Sequence, residues 1–558
     1  MHRSAPTLLS AVLLSAALAL PVLAQVAPSD GMPPSRRPAP PPPDPLRNTQ
    51  PAVTDDWLTF AHDQQRTGWN NGDTALTPAS VPHLELLWSA SLPVKPSPYA
   101  AQTLTAPVVV AGVKTHKGTR TVAYTLSGDD ILMAVDAASG KLIWKKSFKN
   151  PDTPVQQTNW MCTNTAQATP VIDKDKGIVY FTTSDGMLRG AALGDGKAGI
   201  APAQMVIPFS RNWSLNLVGN EIYTTAGRGC GGVASDPVVS GVVAAANVSD
   251  PHHVTVEHLY TGFSRQAGPW NRAGTTLGPQ GMYVTTADGR YDPAAGFYGE
   301  TVLAIRPGDR GIADSYTPAN WRYLNAHDLD MGAAGPLIFP FHGRAIVATG
   351  AKESVEYLLD ANLLGGYDHK TPLYVSPQLG NDAVKLGGYG IWGGGATWAS
   401  ASGDRYLYVP MWNEPSKKAP EFPHTSGDLS QGSIMAFQVV EKDGKPVLQP
   451  AWIAGVAQAP DMPAVADGVV FAVATGEQTE QFSRQTPPGN LNRAKFRNTP
   501  VGHQVLYAFN AETGEQLYSS QDLLKDWGHF SQPVISHGEV FVVSHDGHLY
   551  AFGLKGKQ

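Results

Sequence analysis

Residues 134–144 read AVDAASGKLIW, and residues 508–518 read AFNAETGEQLY. Both follow one pattern: Ala, any residue, Asp or Asn, two more, Ser or Thr, Gly, three more, then an aromatic. Around the first copy, ILMAVDAASGKLIW runs an alternating apolar strand into a turn and out into a second strand. Asp136 is suited to accept from backbone N–H groups two residues on, and Ser139 does so more weakly. Gly140 supplies a positive φ without steric cost. The hairpin is therefore specified locally, and Trp144 closes it with a large flat apolar face. A single hairpin of this kind is ordinary; its repetition decides the fold.

Working outward, eight units share the plan of strand, Gly/Asp/Ser-rich turn, strand. They fall at 122–140, 177–193, 221–247, 281–305, 345–360, 406–440, 469–514 and 539–554. Several follow a short Pro-bearing strand: APVVV, ATPVI, AGPLIF, MPAVA and SQPVI. Proline is tolerated at the start of a strand, where no ladder bond is lost. The spacing runs somewhat above the roughly 40–50 residues of common propeller blades. The expected fold is all-β, an eight-bladed β-propeller with long loops on one face. A sandwich uses similar hairpins, but one of this size without a domain break is not expected. The last hairpin is expected to leave little chain for an outer strand. LELLWSASL, residues 84–92, carries Trp88 where other repeats carry theirs, and is expected to complete the last blade from the N-terminal side.

Composition agrees. The 558 residues include 57 Gly and 46 Pro, a turn-rich balance, and the net charge of -6 offers no basic surface for nucleic acid. Residues 1–24 read as a secretory signal: Arg3, an apolar run from Leu8 to Leu20, and a small-residue cleavage site ending at Ala24. The alternative is an uncleaved anchor. Residues 25–54, with PPSRRPAPPPPDP, read as a Pro-rich linker that builds no core. Residues 55–558 form the folded domain, with no later run of membrane-span length, and the protein is expected to be exported to the periplasm or secreted. Cys162 and Cys230 are the only cysteines; an oxidising compartment favours a disulfide between them over two buried thiols.

The A-x-D-x-x-S-G-x-x-x-W phrase resembles the tryptophan-docking repeat of the pyrroloquinoline quinone (PQQ) family of propellers, and the resemblance spans roughly residues 55–554. That family includes exported quinoprotein alcohol dehydrogenases and non-catalytic relatives. The resemblance implies that each repeat Trp packs on the turn of the neighbouring blade. It also implies PQQ beside a Ca²⁺, an Asp as base and a Lys or Arg at the quinone. ASDPVVSGVVAAAN, residues 234–247, places Asp236 at the family's metal-binding Glu. TTADGRYD, residues 285–292, places Asp288 at the metal-binding Asn. NAHDLDMGAAGP, residues 325–336, is similar to the stretch carrying the base; Asp330 is the first choice and Asp328 the second. ATGAKESVEYLLD puts Lys352 at the quinone-contacting position, and GIWGGGATW brings Trp392 toward the axis.

The departures define a second reading. Asp stands for Glu and for Asn, Ser240 stands where the family has an Arg for a cofactor carboxylate, and no adjacent Cys pair exists. Without C-x-x-C-H there is no c-type haem, so an enzyme would need a separate electron acceptor. Each site residue also has a plain role open to it: Asp288-Gly289 is a good turn pair and Asp236-Pro237 a good loop start. The expected function is a PQQ- and Ca²⁺-dependent dehydrogenase acting on an alcohol or sugar-like hydroxyl. The alternative is a non-catalytic propeller that serves a protein partner as a binding or assembly scaffold.

Overall fold

The computed structural model describes residues 53–556 apart from 100, 156, 160–161, 228–229, 234–240, 263–265, 385–388, 480–498 and 531. The expected signal and all of the Pro-rich stretch but Val53 and Thr54 therefore lie outside the described residues.

Eight sheets of four or five strands form the blades of a β-propeller; the blade strands themselves run antiparallel, while Trp69–Asn70 and His424–Ser426 each add to a sheet in parallel. Blade 1 runs Val108–Thr115, Gly118–Leu126, Ile131–Asp136 and Leu142–Ser147. The first strands of blades 2, 4 and 5 are Val171–Asp173, Thr276–Gly278 and Leu337–Phe341; those of blades 6, 7 and 8 are Ala396–Ala399, Ala464–Ala466 and Val534–Ser536. In blade 3 two short pieces, Arg211–Asn212 and Asn216–Val218, share that position. Each of the eight hairpins expected from the sequence supplies the second and third strands of one blade. The Pro-bearing stretches lead into first strands, with Pro107, Pro170, Pro336, Pro463 and Pro533 just ahead of them. Apolar side chains fill the spaces between neighbouring blades as successive layers.

The ring closes as the sequence indicated. Glu85–Ser91 pairs with His548–Gly553, from Glu85 opposite Gly553 to Ser91 opposite His548, and is the outer strand of blade 8. The free edge of the last hairpin is thereby covered.

The repeated phrase is inter-blade glue. Trp88 donates its indole N–H to the Ala137 carbonyl at 2.7 Å, Trp144 to Leu193 at 2.9 Å and Trp452 to Ala511 at 2.9 Å. Each acceptor begins the turn of the next blade, and each ring lies flat on the turn's glycine. A Cβ at Gly140 would sit 2.6 Å from Trp88, and one at Gly514 2.6 Å from Trp452. Both glycines also have positive φ, 68° and 72°. Asn510 caps its turn by accepting from the N–H groups of Glu512 and Thr513. Asp136 does otherwise: its carboxylate takes the Ser139 hydroxyl and pairs with Arg120. Its carbonyl receives the backbone N–H groups instead, because a nearby guanidinium is the stronger partner for a charged side chain.

The stretch ahead of the closing strand does more than lead into it. Residues 57–70 make one circuit of the axis and bond the first strand of every blade in order. Trp57 pairs with Val109, Leu58 accepts from Ile172, and Thr59 donates to Leu215. Gln64, Gln65, Thr67 and Gly68 accept from Leu277, Ile338, Thr397 and Val465, and Asn70 donates to Ile535. Arg66, fully buried, spends its guanidinium on the Phe60, Leu215 and Thr275 carbonyls and the Thr59 hydroxyl. Phe60 and Ala61 pack against Ala273 and Met462, so the circuit lies beneath the loops that carry the candidate site.

Cys162, between blades 1 and 2, and Cys230, after the second strand of blade 3, form a disulfide with Cα atoms 5.1 Å apart. Among the described residues no helix is long and apolar enough to cross a membrane.

Candidate functional site

In each blade the second strand rises to the same end of the axis, and the loops that follow converge there. Blade 4 sends a loop from Thr285 to Val302 that carries Asp288 and, at its end, Glu300. Between blades 4 and 5 the helix Trp321–His327 stops at Asp328, which takes a left-handed φ of 57° and caps the helix through its N–H. Buried Leu329 anchors the chain, and Asp330 starts the next turn, Met331–Ala333. The chain after blade 5's Arg344–Thr349 brings up Lys352, whose carbonyl is held by Asn381. Gly390 passes so close that a Cβ there would lie 2.3 Å from this carbonyl.

These segments place one carboxylate oxygen each of Asp288, Asp328 and Asp330 within 4.8 Å of one another. Lys352, fully buried, pairs with Asp328 at 3.0 Å and with Asp330. The Asp288 N–H donates to Asp330 at 3.3 Å, and the Gly289 N–H to Asn325 at 2.7 Å, which ties the blade 4 loop to the helix. Lys352 Nζ lies 5.2 Å from the Trp270 ring and 5.0 Å from the Trp392 ring. Trp392 stacks on Trp412 at 4.9 Å.

Four of the residues singled out from sequence, Asp288, Asp328, Asp330 and Lys352, thus meet in one place, with Trp392 against the ammonium. Asp236 and Ser240 lie outside the described residues. Sequence reading missed Glu300, Trp270 and Trp412. Glu300 has no exposed surface; it accepts the Met331 N–H at 2.8 Å through Oε2, while Oε1 is buried without a hydrogen-bond partner. Burial first, then the charges of Asp330 and Asp288, push its carboxyl well above the usual range. Only a spatial neighbour could reveal this residue, because GFYGETVLAI reads as an ordinary strand approach.

Three aspartates gather around one ammonium, and carboxylates this close disfavour one another's charge, which a bound cation would relieve. An all-carboxylate donor set suits a hard cation such as Ca²⁺. The orphaned Glu300 oxygen beside it is a second sign that the cluster is not complete on its own.

No family model matches the chain, and no curated protein matches it. Solved structures do. The chain is similar to a quinohemoprotein alcohol dehydrogenase of Pseudomonas putida HK5, with 14% identity and a TM-score of 0.54 over 90% of this chain and 81% of that one. A quinohemoprotein alcohol dehydrogenase of Comamonas testosteroni gives 16% and 0.55 over 91% and 82%. A europium-containing methanol dehydrogenase gives 13% and 0.52 over 90% and 98%. At these identities the likeness is one of fold: the chain is an eight-bladed propeller of the kind found in quinoprotein alcohol and methanol dehydrogenases.

Proposed function

We propose that the protein is a quinoprotein dehydrogenase that binds PQQ beside Ca²⁺ and oxidises an alcohol or sugar-like hydroxyl, after export to the periplasm or beyond. The observation that carries this reading is the convergence of Asp288, Asp328, Asp330 and Lys352 at one mouth of the propeller. Asp288 would hold the metal, together with Asp236. Bound there, the quinone would accept two electrons from the substrate and Ca²⁺ would polarise its carbonyl. Asp330 would take the proton of the substrate hydroxyl, with Asp328 as the second choice for that task. Lys352 holds both carboxylates in place and offers its ammonium to the quinone. Trp392 shields that ammonium from water, which strengthens each of these interactions. A separate protein would collect the electrons.

The test is a dye-linked assay of the purified protein with PQQ and Ca²⁺ against a panel of alcohols and sugars. Turnover that needs both additives supports the reading. Asp330→Asn should lower kcat by at least 100-fold and leave quinone binding nearly unchanged. No turnover with any hydroxyl compound, and no quinone binding, would favour the scaffold instead.

A further inference from the structure

Glu300 sits against two local preferences at once. It ends the blade 4 loop, just before the strand Val302–Ile305, and takes a left-handed φ of 51°, a conformation that favours glycine. Its side chain is buried, and Oε1 meets no hydrogen-bond partner. A residue held against both backbone preference and burial points to a task that a glycine could not perform.

Its hydrogen bonds show which task. The Glu300 N–H donates to the Ala287 carbonyl at 3.1 Å, and Ala287 precedes Asp288. Glu300 Oε2 accepts the Met331 N–H at 2.8 Å, and Met331 follows Asp330. One residue therefore joins the two loops at the positions next to both aspartates. The direct tie, from the Asp288 N–H to Asp330, is longer at 3.3 Å. The anchorage is stiff on both sides. Thr301, next along, donates its N–H to Thr286 Oγ1 at 3.0 Å and accepts the Thr286 N–H at 2.9 Å. A Cβ at Gly299 would lie 2.2 Å from the Gly289 carbonyl oxygen, so the neck of the loop is shut. A Cβ at Gly332 would lie 3.0 Å from that of Ala287, so the Asp330 turn has no room to slide across the loop.

We propose that Glu300 is a positioning residue: it clamps the blade 4 loop to the Asp330 turn and so fixes the gap between Asp288 and Asp330 that a cation would fill. The inference rests on the metal reading above. Carboxylates that repel one another drift apart unless the backbone beneath them is held. Groups that orient the residues of a metal site without touching the metal change its affinity about 10- to 100-fold when they are removed.

Calorimetric titration of the purified protein with Ca²⁺, well below its melting temperature, tests the clamp. Glu300→Met keeps the volume but leaves the Met331 N–H buried without an acceptor; it should weaken Ca²⁺ about 10- to 100-fold. Glu300→Gln keeps an oxygen for that N–H and should bind Ca²⁺ much as the wild type does. Melting without Ca²⁺ establishes that each variant is folded during the titration. Should Glu300→Met fail to fold, Glu300→Asp takes its place: the carboxylate stays but falls one methylene short of Met331, and the same loss is expected. Either of these variants binding Ca²⁺ with the wild-type affinity overturns the clamp alone. So does a Glu300→Gln protein as weak as Glu300→Met, because the acid's charge, not its hydrogen bond, would then hold the cation. A wild-type protein that binds no Ca²⁺ overturns the metal reading and the clamp with it.

Discussion

Gly514 shows how much one position can carry. It turns the chain with a positive φ and lets Trp452 lie on it, so an added methyl meets both a strained backbone and an indole at 2.6 Å. Gly514→Ala should cost about 1–3 kcal/mol in urea unfolding. Ala at an exposed positive-φ glycine that nothing packs on, such as Gly343, should cost less. Glu356 carries a different kind of signal. It is buried, and burial pushes its carboxyl up to about 8 from an ordinary 4.5. The folded state therefore holds a proton that the unfolded chain releases. Stability from this group is complete below about pH 4.5 and is lost as pH rises through about 8, on the order of 5 kcal/mol in all. Glu356→Gln should flatten this part of the pH–stability curve, and a slope that survives the substitution would contradict it. Asp288, Asp328, Asp330 and Lys352 were legible because the short stretches around them resemble the site stretches of quinoprotein propellers. Glu300, Trp270 and Trp412 were not: their neighbours come from other blades, and a single strand pattern does not record what lies across the axis.

Among the elements, the hairpins were the most legible part of the molecule. Their turns are written in local chemistry, and the Trp of one phrase docks on the Gly of the next. The circuit of residues 57–70 was illegible for the opposite reason. Gln64, Gln65, Arg66, Thr67 and Asn70 form no periodic pattern, and their partners are backbone groups spread over the blades. Deleting residues 53–92 removes both that circuit and the closing strand. The truncated protein should aggregate or melt far below the full chain, and an unchanged melting transition would contradict the closure described above. The disulfide joins mouth loops of different blades, a separation of 68 residues along the chain. Replacing both cysteines by Ala should cost about 2–4 kcal/mol, and digestion of the exported protein without reduction should yield the linked peptide pair. Two freely alkylated cysteines would contradict the bridge.

At the scale of the whole molecule, the propeller gathers loops of separate blades at one mouth and floors it with the axial circuit. What the ring assembles there is a negative cluster bridged by Lys352 and walled by tryptophans. The central claim is that this cluster is built to hold a metal ion beside a quinone. The most direct measurement is thermal unfolding of the wild-type protein and of Asp288→Asn across a Ca²⁺ titration, with and without PQQ. The wild type should be stabilised progressively, by about 2.7 kcal/mol once Ca²⁺ reaches a hundred times its dissociation constant, and further when PQQ is present. Asp288→Asn should need much more Ca²⁺ for the same shift. A wild-type melting curve indifferent to Ca²⁺ and PQQ, alone and together, would contradict the account.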